Sequence, residues 1–243
     1  MSHEMMDLRQ AARHLHIDEN ELRHFAQREE VPSVKRGDSF FFEHRLLDEW
    51  AQRRMMELSP RQLTGEHRQA MDERRRAQGG DLLVSRLLVR EAIAPALTAK
   101  NRGGVLRDMT DLAEATGLVY DPEMLFHELT AREEAGSTAV GGGAAFLHAR
   151  FHDPYMVQES FLALGRTMRP VFFGSQDGQG TDLFFLICCT DHDQHLHVLG
   201  RLCLLAHGTH FLQDLREAPD GETMYAIFSA AEAAFLEGFP HGR

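Results

Sequence analysis

Cysteine is scarce in this chain: only Cys188, Cys189 and Cys203 occur in 243 residues. No Cys-x-x-Cys pair is present, and neighbouring strand residues point to opposite faces, so Cys188 and Cys189 do not read as paired metal ligands. An odd, sparse set fits a reduced, cytoplasmic protein. No apolar run is long enough to span a bilayer, and the opening Met1-Ser2-His3-Glu4 lacks the apolar core of a secretion signal. Walker A and dinucleotide-binding glycine patterns are missing, so no nucleotide cofactor is expected. Internal repeats and low-complexity blocks are also lacking. The length allows one or two domains. The net charge of −11 sits mostly in the C-terminal two thirds, which suits a protein partner better than a polyanion.

Three stretches follow from the patterning. In residues 1–55, Asp7 precedes a helical pattern of Leu8, Ala11, Ala12 and Leu15, and Asp18 is placed to cap a second helix carrying Leu22, Phe25 and Ala26. Val31 to Phe42 reads as a β-hairpin turning at Gly37-Asp38. A closing helix is expected over Arg45 to Arg54, with Leu46, Leu47 and Trp50 facing the core. This layout resembles the excisionase/MerR-type winged helix-turn-helix in Ala11-Ala12, Val31-Pro32, Lys35-Arg36-Gly37 and Leu47-Asp48-Glu49-Trp50. The resemblance implies a DNA-binding domain in which Arg23, His24, Arg28, Lys35 and Arg36 line the recognition helix and wing. Lys and Arg at phosphates supply most non-specific affinity, but Glu19, Glu21, Glu29 and Glu30 lie close by and repel phosphate. Such a weak reader calls for a homodimer or a second contact.

Residues 56–80 read as a charged linker, with Ser59-Pro60 able to open a helix and Arg74-Arg75-Arg76 forming a basic cluster. From residue 81 to 243 helices alternate with apolar strands, which implies an α/β fold with a sheet covered by helices. Helices are expected over Gly103–Gly117, after Asp121-Pro122, over Gln194–Ala206 and Thr209–Leu215, and over Thr223–Glu237. Strands are expected at Ala145–His148, Gln158–Gly165 and Leu183–Cys189, while Leu82 to Leu88 fits either element.

His148 carries the chemistry. A polar, glycine-rich turn runs into a short apolar strand that ends on this histidine, beside backbone N–H groups able to receive an anion. His195 follows a second apolar strand and opens a long helix. Two imidazoles brought together in this way suggest phosphoryl transfer through phosphohistidine.

The stretch Arg132, Glu133, Gly136, Ser137, Thr138, Gly141, Gly143, His148, Ala149 and Arg150 resembles the active-site block of the fructose/mannitol-type enzyme IIA domains of the bacterial sugar phosphotransferase system, including their nitrogen-regulatory relatives. Leu164-Gly165-Arg166, Arg169 to Gly174 and His195 to Leu202 fit as well, so the resemblance runs from about Asp81 to Phe239. It implies that His148 accepts phosphate from a phosphocarrier protein. Arg132 would neutralise the phosphoryl group, Ser137 and Thr138 would donate to its oxygens, and His195 would bond it or hold the site. Three residues depart from the family pattern, one of them Phe146, which is bulkier than the usual small aliphatic. Leu147 stands where a proline usually stiffens the approach, and Gly142 stands in place of asparagine in the turn, which makes both segments more permissive.

The chain therefore reads as a regulator in which phosphorylation of His148 modulates DNA binding by the first domain. Two other readings stand beside it: a phosphocarrier whose first domain docks on a protein, and a non-phosphorylated binding module. No metal is expected. His148 and His152 leave a strand, and His192, His195 and His197 come without cysteine ligands at metal spacing.

Overall fold

The computed structural model describes residues 5–78, 81–150, 155–175, 177–208 and 210–238, leaving aside the side chains of Gln69 and residues 72–78. The chain divides into two compact units, Met1–Asp81 and Leu82–Arg243.

In the first unit, strand β1 (Met5–Asp7) runs directly into helix α1 (Leu8–His14). Asp7 accepts from the Gln10 N–H while the Gln10 side chain accepts from the Asp7 N–H, a reciprocal capping box that starts the helix. Asp18 caps α2 (Glu19–Gln27), whose Leu22 and Ala26 share one buried face at i, i+4 spacing. Strands β2 (Val34–Arg36) and β3 (Ser39–Glu43) form the expected hairpin, with Gly37 left-handed at φ +62°. β1, which the sequence did not signal, pairs with the other side of β3, giving an antiparallel order β1-β3-β2.

Helix α3 (His44–Glu57) turns Leu47 and Ala51 inward. Leu46, expected in the core, is 40% exposed. Consecutive helical positions diverge by about 100°, so Leu46 and Leu47 cannot share one face. Trp50 is half-buried at the rim, where its indole N–H donates to the Glu30 carbonyl. The stretch expected as a charged linker does open a helix at Pro60. Residues 60–78 form α4 (Pro60–Gln78), with Leu63, His67 and Met71 buried along a single i, i+4 stripe. The Arg54 guanidinium forks onto both oxygens of Glu66, at 2.7 Å each, and ties α4 to α3. The side chains of the basic cluster at 74–76 lie outside the described residues.

The second unit begins with a 3-10 turn at Val84–Arg86 and strand β4 (Leu88–Leu97). Helices α5 (Arg102–Glu114) and α6 (Pro122–Glu134) follow, then β5 (Ala139–Val140), β6 (Ala144–His148), β7 (Phe161–Val171) and β8 (Thr181–Cys188). Helices α7 (His192–Gly208), α8 (Phe211–Glu217) and α9 (Gly221–Glu237) close the unit. The sheet is mixed, in the order β4-β7-β8-β6-β5, with β4–β7 and β6–β8 parallel. β6 and the apolar run of β8 are buried on both faces, which is why they read as unbroken apolar runs. Strand alternation divides their side chains. Ala145, Leu147, Phe184 and Leu186 join the cluster under α5 and α6. Phe146 and Phe185 meet on the opposite face, where Phe211 and Phe228 pack over Phe185. His148 follows Phe146 by two, so it belongs to that face.

A buried carboxylate fastens the start of this unit to its end. Glu232 of α9 accepts from the Val84 and Ser85 N–H groups at 2.8 and 2.7 Å and from Arg201 of α7 at 2.6 Å. Both charged side chains are essentially inaccessible. Removing one partner of such a pair leaves the other charge buried and uncompensated. Glu232→Ala is expected to lower the stability of the second unit by about 3–5 kcal/mol. Urea unfolding of Glu232→Ala and Glu232→Gln checks this, with the glutamine retaining part of the loss because its carbonyl still accepts.

Candidate functional site

Helix α6 ends at Glu134, and its last turn carries Arg132 and Glu133 toward the sheet. The chain then passes through Gly136-Ser137-Thr138 into the short β5, turns at Gly141-Gly142-Gly143 and enters β6. Pairing with β8 fixes β6 so that His148 lies opposite Ile187 at the strand end. α7 starts just beyond β8, at His192 rather than at the expected Gln194, and holds His195 in its first turn.

These elements bring together three of the residues singled out from the sequence. His148 is 1% exposed, Arg132 3% and His195 0%. The His148 and His195 rings lie 4.9 Å apart, tilted by 60°. His148 Nδ1 stands 2.8 Å from the Phe146 carbonyl, which can only accept, so Nδ1 carries the proton. Nε2 therefore keeps its lone pair, and Arg132 Nε donates to it at 3.1 Å. The same guanidinium donates through Nη1 to the Gly136 carbonyl at 2.9 Å, which braces it against the loop after α6.

Ser137 and Thr138 do not point their hydroxyls at His148. Ser137 donates to the Phe173 carbonyl at 2.7 Å and accepts from the Ala139 N–H. Thr138 donates to Glu133 at 2.7 Å, and its N–H bonds the same carboxylate. Burial pushes the Glu133 carboxyl above the ordinary carboxylate range. The Thr138 and Ser137 hydrogen bonds and the Arg132 charge draw it part of the way back. Glu133 thus organises the loop, a role the sequence did not assign to it.

Both Leu147 and the turn that carries Gly142 are held by neighbours from elsewhere in the unit. Leu147 is buried and in register with Leu186, so the sheet, not a proline, holds the approach to His148. Gly143 is left-handed at φ +78°, and a Cβ there would stand 2.6 Å from Arg216 Nη2. That guanidinium also grips Asp182 and the Gly142 carbonyl. This clamp from α8 was not legible in the sequence because its two ends are far apart along the chain.

The remaining candidates lie elsewhere. His197 faces the Leu82 carbonyl at 3.4 Å, and His152 lies outside the described residues. Among the described residues, the group whose ligand atoms converge as a metal site would is instead His14, His44 and Asp48 in the first unit. The basic residues expected to meet DNA are exposed or half-exposed on α2, at its C-cap and on β2. Arg23 pairs with Glu19 at 3.1 Å and Arg28 with Glu30 at 2.9 Å, while His24 is exposed. Lys35 lies over Phe40 and Arg36 over Phe41, so the hairpin carries one cation toward each face.

The chain matches the family model described as "Phosphoenolpyruvate-dependent sugar phosphotransferase system, EIIA 2" over residues 86–231. It is 31% identical over 153 residues to the nitrogen regulatory protein of Bradyrhizobium diazoefficiens, covering 62% of this chain and 97% of that one. Among solved structures, nitrogen regulatory protein IIA-Ntr from Neisseria meningitidis aligns with a TM-score of 0.55 and 26% identity, over 60% of this chain and 99% of that one. The complex of Escherichia coli enzyme IIA mannitol with phosphorylated enzyme IIB mannitol aligns at 0.52 with 17% identity, over 59% of this chain and 97% of that one, and shows the fold alone. The mixed sheet between two helical layers is the one these proteins share, and the matched segment spans α6, β6 and α7. On that match, this chain belongs to the phosphoenolpyruvate-dependent sugar phosphotransferase system EIIA 2 family.

Proposed function

We propose that the second unit takes up a phosphoryl group on His148 and that this modification modulates DNA binding by the first unit. The observation that carries the reading is the fixed tautomer of His148: its Nδ1 proton is held by the Phe146 carbonyl, which leaves Nε2 as the nucleophile. The donor would be a phosphohistidine on a phosphocarrier protein. The Nε2 lone pair forms the new N–P bond as the donor's N–P bond breaks. The donor imidazole leaves with that electron pair, and each ring keeps the proton on its other nitrogen. Such a transfer needs positioning and charge neutralisation more than covalent help.

Arg132 has two tasks in this scheme. At rest its Nε–H covers Nε2, so it must turn aside before attack. Its donor fork then meets the phosphoryl oxygens, a geometry suited to a phosphate. His195, buried beside His148 in the first turn of α7, supplies a further polar edge at the positive end of a helix. Ser137 and Thr138 hold the loop at rest and re-aim their hydroxyls at the phosphoryl oxygens once phosphate arrives.

The first unit would act as a winged helix-turn-helix, with α1 and α2 as the helix pair and β2–β3 as the wing. Phosphorylation places close to two negative charges at one point of an already acidic unit. The carrier reading, with a protein-docking first unit, is favoured by one observation: the carboxylates of Glu19 and Glu30 already neutralise Arg23 and Arg28.

Incubation with phosphoenolpyruvate and the general phosphotransferase proteins is expected to add the mass of one phosphoryl group to the full chain. His148→Ala should abolish the gain, and Arg132→Ala should slow it by roughly 10²-fold, as for loss of one donor to a developing anion. No gain beside a positive control would leave the non-phosphorylated module standing. A second measurement addresses the first unit: DNA affinity at low salt, with and without phosphate on His148. Affinity that differs between the two forms supports regulation. Equal affinity removes it, and no DNA binding with intact phosphotransfer selects the carrier.

A further inference from the structure

We propose that the first unit binds a divalent transition-metal ion of the zinc class through His14, His44 and Asp48. The site is separate from His148 and independent of the phosphoryl reading. His44 and Asp48 are four apart at the start of α3, a spacing that puts both side chains on one helix face. His14 closes α1 and meets them from a different element. All three offer ligand atoms within 4.8 Å of one another. His14 Nε2 lies 2.6 Å from Asp48 Oδ1, and His44 Nε2 lies 3.6 Å from Asp48 Oδ2. The two imidazoles stand edge-on with ring centroids 4.6 Å apart.

The state of His44 gives the cluster its direction. Its Nε2 is shielded from solvent and makes no hydrogen bond among the described residues, because the Asp48 oxygen lies beyond hydrogen-bond reach. A shielded acceptor or donor without a partner carries its full desolvation cost. An ion seated between the rings and the carboxylate would give that nitrogen a partner and draw Asp48 to both histidines at once. Ligand bonds of about 2.0–2.1 Å around a tetrahedral centre put donor atoms about 3.3 Å apart. The 2.6 Å contact would open to admit the ion, and the 3.6 Å contact already suits it.

The donor set selects the metal class. Two imidazoles and one carboxylate suit zinc and its neighbours, whereas calcium and magnesium take oxygen ligands. Three protein ligands leave a position for water or for an outside group. A cleft of ≈ 400 Å³ lined by Met5, Met6, Gln10, Arg13 and His14 gives an ion a route in from solvent. The competing account is that the His14–Asp48 pair links α1 to α3 by itself and takes up no metal.

The test titrates Zn²⁺ and Co²⁺ into the full chain by calorimetry and visible absorption. One equivalent is expected, at least tenfold weaker in His44→Gln, which leaves the His14–Asp48 contact in place, and weaker again in Asp48→Asn. His148→Gln and His195→Gln should bind as the unaltered chain does. Paramagnetic broadening by Co²⁺ on the unaltered chain, which depends on no variant folding, should centre on resonances around positions 14, 44 and 48. Absence of binding, equal affinity in His44→Gln, loss in His148→Gln or broadening centred elsewhere would each overturn the site.

Discussion

The Phe146 carbonyl and His148 Nδ1 belong to the same strand, two residues apart and on the same face, and their hydrogen bond constrains everything around the site. A histidine free to swap tautomers would present either nitrogen to a reacting group. Here the backbone decides, because β6 is held between β5 and β8 and carries both groups. The position of Arg132 follows, since a guanidinium can donate to Nε2 only while that nitrogen holds a lone pair. The tilt of His195 against His148 follows in turn from the placement of α7 on the same face.

Buried polar groups of this kind are tolerable only when each is answered. The second unit gathers many of them into two sets. Arg132, Glu133, Thr138, Ser137 and the Phe173 carbonyl form one chain around the loop before β5. Glu232, Arg201 and two backbone N–H groups form the other, at the far end of α9. The first set keeps a polar centre rigid beside an apolar sheet. The second fastens the segment that leads into β4, an edge strand.

The parts of this protein that were legible in its sequence share a local cause. Asp7, Asp18 and Asp121 announce helices because a cap acts within three residues. The run ending at His148 announces itself because a buried strand needs every position apolar. What was missed depends on distant partners or on mixed patterns. β4 carries Arg90, Glu91 and Pro95 and so does not read as a strand, yet an edge position tolerates all three. α4 buries a single stripe of an otherwise polar helix, so composition marks it as a connector. Leu46 and Leu47 look equivalent until helix phase separates them. The hydroxyls of Ser137 and Thr138 were assigned by resemblance, and only their partners show where they point. The clustering of His14 with His44 and Asp48 depends on α1 meeting α3, which no local pattern encodes.

Gly142, in the turn between β5 and β6, faces a leucine of α8. Its φ of +82° is one that asparagine, the residue the resemblance would put there, adopts more readily than most. A Cβ at that position would stand 3.2 Å from the Leu212 methyl of α8, tighter than ordinary packing. The glycine and the leucine are therefore compatible as a pair, and an asparagine at 142 would require the Leu212 methyl to give by a few tenths of an ångström. The turn before the histidine is thereby coupled to the packing of α8, so that a side chain at 142 is accommodated best beside a smaller or differently turned residue at 212.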